Sequence, residues 1–151
     1  MLTSSLHTSL RRGLQLAALT TLAACAGTRP AAFLATTSGP ARPFSPAVRV
    51  NGFLFLSGQV GTDSAGTLVA GGIQPETRQT LENIRAVLQR SGSSMDRVVK
   101  CTVFLADMRE WATMNEVYVT FFAADKRPAR SAMGTSGLAL NARVEIECIA
   151  T

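Results

Sequence analysis

The feature that most constrains this chain is a change of hydrophobic period between neighbouring segments. After Pro75, mostly apolar side chains recur at intervals of four, three and four residues, which is the spacing of one helix face. From Arg97 to Leu105 the period becomes two, as in a strand with one buried face. Elements that each bury one face must pack on one another, so the pattern predicts a sheet covered by helices. The helical set is Thr77, Leu81, Ile84 and Leu88.

The remaining segments complete the same pattern. Asn51-Gly52 is a strong hairpin signal between short apolar strands at 47–50 and 53–57, and a third short strand is predicted at 67–69. Asp107 and Glu110 have the spacing of a capping pattern before a second amphipathic helix. Extended segments follow at 129–133 and 143–150. The order β-β-β-α-β-α-β-β predicts one α+β domain, a mixed sheet with two helices packed on one face. The second helix is predicted to bury Trp111, Met114, Val117, Tyr118, Phe121 and Phe122.

Length and charge restrict the function classes. The 151 residues suit a single domain, and 46% hydrophobic with 17% charged residues favours a compact globule over disorder. The net charge of +5 does not form a basic stripe with interleaved aromatic residues. Without Arg11 and Arg12, 15 basic residues become 13 against 10 acidic ones, so residues 25–151 carry only +3. No nucleic-acid partner is therefore predicted.

The first 25 residues have the pattern of a targeting segment. Arg11-Arg12 precede an apolar run from Leu14 to Ala24, which is too short to span a membrane. The run ends in Leu22-Ala23-Ala24-Cys25, which resembles a lipoprotein box. The expectation is a signal peptide at 1–25, lipidation of Cys25, and an exported, periplasmic lipoprotein that meets the membrane only through its lipid anchor. The alternative is a transit peptide for import into an organelle. Residues 26–43 are expected to be a linker, and 44–151 the domain.

The cysteine and histidine residues limit the chemistry. Cys101 and Cys148 each lie in an apolar, strand-like run, which favours small core side chains, although an exported protein could pair them. The single histidine, His7, lies in the leader. No zinc site and no histidine-based triad are therefore expected in the domain.

An arginine and a carboxylate are the candidates for chemistry. Arg130 follows Pro128, and Glu145 lies fifteen positions later in a strand with charge on one face. A guanidinium and a carboxylate in one cleft can hold a small acid and direct a water molecule at it. The plainer alternatives are a solvated loop arginine, and a Glu145 that pairs with Arg143 or Arg130 to hold subunits together.

Several ordered motifs resemble one family. Arg42–Val48, Phe55–Gln59 and Val103–Met108 are similar to its G-P-Y-S-Q-A-V, S-G-Q and V-F-L-x-D-M elements. Pro128–Ser131 and Val144–Ala150 match its P-A-R-S and V-E-I-E-x-I-A signatures. The chain is identified as a member of the RidA (YjgF/YER057c/UK114) family of enamine/imine deaminases over about residues 36–151.

The resemblance implies a chorismate-mutase-like fold and a homotrimer with clefts between its subunits. It implies hydrolysis of 2-enamine and 2-imino acids, such as 2-aminoacrylate, to 2-oxo acids and ammonia, with no metal or organic cofactor. The alternative from another class is a non-catalytic trimer whose clefts bind small carboxylate ligands or partner proteins.

The family's site residues carry over by position. Arg130 is implied to hold the substrate carboxylate and Glu145 to position or activate water. Asn115 corresponds to a cleft asparagine, and Gly58, with Ser57 beside it, to a backbone contact with the ligand. The plainer alternatives are a polar helix position for Asn115 and ordinary turn residues at 57–58.

Two positions depart from the family pattern. Phe44 replaces a cleft tyrosine and retains the aromatic wall without the hydroxyl group. Ala132 replaces a cysteine that this hydrolysis does not need as a nucleophile. Both changes make the expected pocket less polar, which favours bulkier apolar 2-imino acids.

Overall fold

A computed structural model describes residues 30–35 and 42–151. Within these residues the chain forms seven strands and two α-helices. The strands are β1 (Ala32–Phe33), β2 (Ala47–Val50), β3 (Phe53–Leu56), β4 (Gln59–Val60), β5 (Val98–Leu105), β6 (Ala129–Gly134) and β7 (Val144–Ala150); the helices are α1 (Ile73–Arg90) and α2 (Trp111–Tyr118).

The strands form one mixed sheet with the order β1-β2-β3-β7-β5-β6. The β5–β6 pair is parallel and the other pairs are antiparallel, and β4 also pairs with β7. A parallel pair needs a crossover, and α2 lies in the connection between β5 and β6. The predicted α+β class, with a mixed sheet and two helices, is confirmed.

Glycine and proline residues mark both ends of helix α1. Gly72 precedes it with a φ of 91°, and Pro75 lies in its first turn, where the missing N–H has no intrahelical acceptor to lose. Beyond its end Gly92 has a φ of 71°, which favours glycine. All four residues of the predicted helix face are buried. No helix in residues 30–35 and 42–151 is both long and apolar enough to cross a membrane.

The core lies between one face of the sheet and the helices. Val144, Ile146, Cys148 and Ala150 of β7 are buried, whereas the intervening Glu145, Glu147 and Ile149 are not. This alternation agrees with the period of two in the sequence. Leu81, Ile84 and Leu88 of α1 are fully buried in the same cluster. Burial of these apolar side chains is the main contribution to the stability of the domain.

A bulge in β5 corrects one predicted side-chain direction. The sequence period places Val99 on the same face as Cys101, Val103 and Leu105. The register of β5 against β7 shifts between Val98 and Lys100, and Val98 is buried in place of Val99, which is 44% exposed. An extra residue in one strand reverses the alternation on one side of it.

Two predicted segments differ in the structure. Residues 26–43 were expected to be a linker, yet β1 within them pairs with β2, and the Leu34 N–H donates to the Ala47 carbonyl at 3.0 Å. The predicted strand at 67–69 makes only an isolated bridge, Thr62 to Leu68. Strand β4, which the sequence pattern did not predict, pairs with β7. These pairings depend on partners distant in sequence, which local composition does not report.

Cys101 and Cys148 form a disulfide bond between β5 and β7, so the alternative that the sequence favoured less, a paired cysteine, is the one present. They are direct register partners in the sheet and their Cα atoms are 4.1 Å apart. Both side chains are buried, at 0% and 2% exposure. The bond covalently joins the two central strands under the helices.

Removal of this bond is expected to lower the free energy of unfolding. The cysteines are 47 residues apart, and a loop of that size corresponds to about 4 kcal/mol in the chain-entropy model. Urea unfolding of a Cys101→Ala/Cys148→Ala variant should show a loss of about 2–4 kcal/mol. Added reductant should lower the stability of the wild type and leave the variant unchanged; equal stability of both proteins without reductant would contradict the bond.

Candidate active site

The two candidate catalytic side chains lie on opposite faces of the sheet. Arg130 and Cys148 are both register partners of Cys101, so all three side chains project toward the helix-covered face. Glu145 is three positions from Cys148 on the same strand and therefore projects from the other face. Arg130 and Glu145 therefore do not meet within a single chain.

Arg130 is held by residues of α2. Its Nη1 donates to Asn115 Oδ1 at 2.6 Å. Its Cζ lies 4.5 Å from the centre of the Tyr118 ring and 6.0 Å from that of Trp111. The predicted site residue Asn115 is therefore next to Arg130, whereas Trp111, predicted to be core, is 42% exposed at the edge of this group.

The charge of Arg130 has no acidic partner in the described part of the chain. The ion pairs found there are Glu82–Arg85, Asp107–Arg109 and Glu110–Arg143. Arg130 is half-buried in a strand, so the alternative of a solvated loop arginine is wrong. Arg143 already pairs with Glu110 at 2.6 Å, which leaves Glu145 outside that pair. A half-buried guanidinium with an amide and aromatic neighbours suits an anionic ligand.

Glu145 lies in a cleft that also borders helix α1. Phe44, Gly58 and Glu145 line this cleft, whose volume is about 590 Å³. A side chain at position 58 would overlap Glu145 Oε1, so glycine is required for the carboxylate to lie over this turn. A second cleft, of about 540 Å³ beside Gln74 and Glu116, contains none of the predicted site residues.

Ser57 does not line the Glu145 cleft, but it holds a segment that does. Its hydroxyl donates to the Ser45 carbonyl at 2.7 Å and its N–H to the Pro46 carbonyl at 3.0 Å. These bonds fix the segment that follows Phe44, whose ring is 48% exposed. The Arg42 guanidinium lies 5.9 Å from the centre of that ring.

Burial raises the pKa of Glu145 above its ordinary value of 4.5, and the negative charge of Glu147 raises it further. The two carboxylates are on the same face of β7, two positions apart. A carboxyl group that binds its proton more readily than usual is suited to proton exchange with water.

The sequence reasoning missed two residues that hold these groups. Glu76 is 4% exposed, and its Oε1 accepts from the N–H groups of Arg143 at 2.6 Å and Val144 at 3.3 Å, immediately before Glu145. An acidic residue on the buried face of α1 is a signal that could have identified it. Tyr118 was predicted to be core, which is correct, but nothing local indicates that its ring faces Arg130.

The fold is of the chorismate-mutase-like α+β class, with the Arg130 side chain on one face of the sheet and the Glu145 side chain on the other. The family model described as Endoribonuclease L-PSP matches residues 35–151. A RutC family protein of Pyrococcus horikoshii is 46% identical over 112 residues, which cover 74% of this chain and 88% of the relative. The 2-iminobutanoate/2-iminopropanoate deaminase of Mus musculus is 45% identical over 120 residues, 78% and 88% of the two chains.

Solved structures agree with the sequence matches. The Rid-family protein YyfA of Yersinia pestis has a TM-score of 0.74 and 37% identity, covering 80% of this chain and 98% of that one. The chain belongs to the RidA family, as its motifs indicated.

The prediction of a lipoprotein signal peptide is corrected. The family model matches only residues 35–151, and the comparisons support neither a signal peptide nor a lipoprotein. Residues 1–25, including Cys25, lie outside the described residues. Import into an organelle, the alternative from the sequence, stays a prediction.

The raised pKa of Glu145 determines whether the stability of the protein rises or falls with pH. Because its folded-state pKa exceeds the unfolded one, the folded protein binds this proton more tightly, and stability falls as pH rises from 4.5 through the folded-state pKa. Glu145→Gln should therefore be more stable than wild type at neutral pH, and the difference should shrink below that window. Urea unfolding of both proteins at a series of pH values measures this difference in stability.

A matched variant separates the two causes. Glu147→Gln removes the neighbouring charge and should lower the pKa of Glu145 toward its ordinary value, as followed by carboxyl-carbon NMR. A wild-type midpoint at or below 4.5 would contradict both expectations.

Proposed function

We propose that this protein hydrolyses 2-enamine and 2-imino acids, such as 2-aminoacrylate, to 2-oxo acids and ammonia. The observation that carries the proposal is Arg130, a half-buried guanidinium fixed by Asn115 with no carboxylate partner in the described residues. An α-imino acid supplies the missing carboxylate. The match to the mouse protein named 2-iminobutanoate/2-iminopropanoate deaminase supports the same chemistry.

The proposed reaction needs one anion site and one proton-transfer group. The Arg130 fork binds both oxygens of the substrate carboxylate. Glu145 accepts a proton from water as the water oxygen attacks C2 of the imine, and it passes that proton to the imine nitrogen, which yields a neutral carbinolamine. Glu145 then accepts the proton of the new hydroxyl group and delivers it to the nitrogen, so the C–N bond breaks as the carbonyl forms, with release of ammonia and the 2-oxo acid. The raised pKa of Glu145 supports this repeated transfer of protons from oxygen to nitrogen.

The proposal requires two copies of the chain. Arg130 and Glu145 lie on opposite sheet faces, so a complete site combines Arg130 of one copy with Glu145 of another. The exposed Phe53, Phe55 and Met133 on the strands support an association through the sheet. A cyclic homotrimer, the assembly implied by the family resemblance, would form three equivalent sites.

The size and lining of the Glu145 cleft indicate which substrate side chains it would accept. Its wall contains the Phe44 ring, without the hydroxyl group of the family's tyrosine, and its volume of about 590 Å³ exceeds the need of a three-carbon acid. These features support apolar 2-imino acids larger than 2-aminoacrylate as substrates.

Loss of either group should abolish most of the activity. An amino-acid oxidase generates the imino acid in situ, and the rate of ammonia release is measured across several amino acids. Arg130→Ala should lower kcat/KM roughly 100-fold, since it removes a charge-assisted double contact worth about 3 kcal/mol. Glu145→Gln should lower kcat about 100-fold or more.

The matched control is Arg78→Ala, which removes an exposed arginine from α1 and should leave the rate unchanged. If wild type releases ammonia no faster than buffer, the enzymatic proposal fails. Retained binding of a 2-oxo acid in that case would select the non-catalytic trimer.

Mixing of the two inactive variants tests the shared site. Arg130→Ala and Glu145→Gln subunits, unfolded and refolded together in equal amounts, should regain roughly a quarter of wild-type activity, because one site in four receives both intact residues. The separately refolded variants are the control. No recovery in mixed trimers, verified by native mass spectrometry, would show that both groups act within one chain.

A further inference from the structure

One face of α2 surrounds the Arg130 guanidinium. Trp111, Asn115 and Tyr118 are separated by four and three positions, so their side chains lie on the same side of the helix. The Asn115 oxygen contacts one edge of the guanidinium, and the Tyr118 ring lies 4.5 Å from its carbon. The Trp111 ring, at 6.0 Å, is at the limit for such a contact.

Tyr118 is itself firmly placed. Its side chain is 3% exposed and its ring packs against Phe122, with ring centres 4.9 Å apart. The hydroxyl is buried without a hydrogen-bond partner among the described residues. Burial raises the pKa of this hydroxyl to about 12, so it is neutral at physiological pH. The ring, rather than the hydroxyl, is therefore the group that acts on Arg130.

The arrangement leaves part of the guanidinium available. Asn115 accepts from Nη1, and in the described residues no other side chain or carbonyl accepts from Arg130. A guanidinium has five N–H donors in one plane. The Tyr118 ring, whose centre lies 4.5 Å from the guanidinium carbon, restricts the movement of the group, and the N–H donors that Asn115 does not use remain for a ligand with two oxygens.

We propose that Tyr118 is a positioning residue: the face of its ring orients the Arg130 guanidinium so that its outer edge is presented to the carboxylate of the substrate. This inference rests on the proposed function and extends it to a residue that does not touch the substrate. Because a carboxylate remains in both ground and transition states, loss of the ring should raise KM about tenfold with little change in kcat.

Graded fluorination of the ring is the sharpest test. Tyr118 is replaced in the full chain by Phe and by mono-, tri- and pentafluorophenylalanine, which keep the buried shape while they weaken the negative ring face. Titration calorimetry with 2-oxobutanoate reports the affinity for a carboxylate. Tyr118→Phe should bind like wild type, since the lost hydroxyl has no partner, and affinity should then fall stepwise to about one tenth with full fluorination.

An independent readout follows the guanidinium itself. The NMR resonance of the Arg130 Nε–H, assigned by its loss in Arg130→Lys, should be displaced by the ring current in wild type and in Tyr118→Phe. It should move to the ordinary arginine position in Tyr118→Leu. Tyr118→Leu should have a higher KM than Tyr118→Phe, and the two variants should have the same kcat.

The outcomes are distinct. Stepwise loss of affinity together with the displaced resonance supports the proposal. Equal affinity across the fluorinated series, with wild type binding 2-oxobutanoate, overturns the role of Tyr118 and leaves the proposed function intact. If wild type binds no 2-oxobutanoate and releases no ammonia, the proposed function fails and the role of Tyr118 falls with it.

Discussion

The structure depends on the pairing of β7 with strands on both of its sides. It pairs with β3 and β4 along one edge and with β5 along the other, so it lies at the centre of the sheet. Its alternation places Val144, Ile146 and Cys148 in the core and leaves Glu145 on the opposite face. A shift of one residue would bury two carboxylates and expose the core. The register that stabilises the fold therefore also fixes the position of the candidate acid.

The same register separates the two halves of the site. Arg130 shares the helix face because β6 pairs in parallel with β5, whose Cys101 bonds to Cys148. No change of rotamer moves a side chain through a paired sheet, so one chain supplies a positive half-site and a negative half-site. Each half has its own support: Asn115 and α2 on one face, and Glu76, which holds the backbone before Glu145, on the other.

The sequence predicts an element well when the interactions that form it are between residues close together in the chain. Helix α1 and strand β7 were predicted closely, because their hydrophobic periods are local. The disulfide, β1 and the pairing of β4 with β7 depend on register between distant segments, and composition does not contain that register. For the candidate site, the family motifs singled out Arg130, Asn115 and Glu145 one by one. Their separation by the sheet appears only when strand pairing is known.

The separation also gives the charges a common explanation. Arg130 has no acidic partner in the described residues, whereas Glu145 is disfavoured as an anion by burial and by Glu147. The anionic form of Glu145 is unfavourable alone, and a positive charge nearby would stabilise it. In the proposed assembly the two come together with the substrate carboxylate between them. Arg130 would then pair with the substrate carboxylate rather than with Glu145. The pKa of Glu145 would therefore remain raised while substrate is bound, which is the state in which proton exchange is needed.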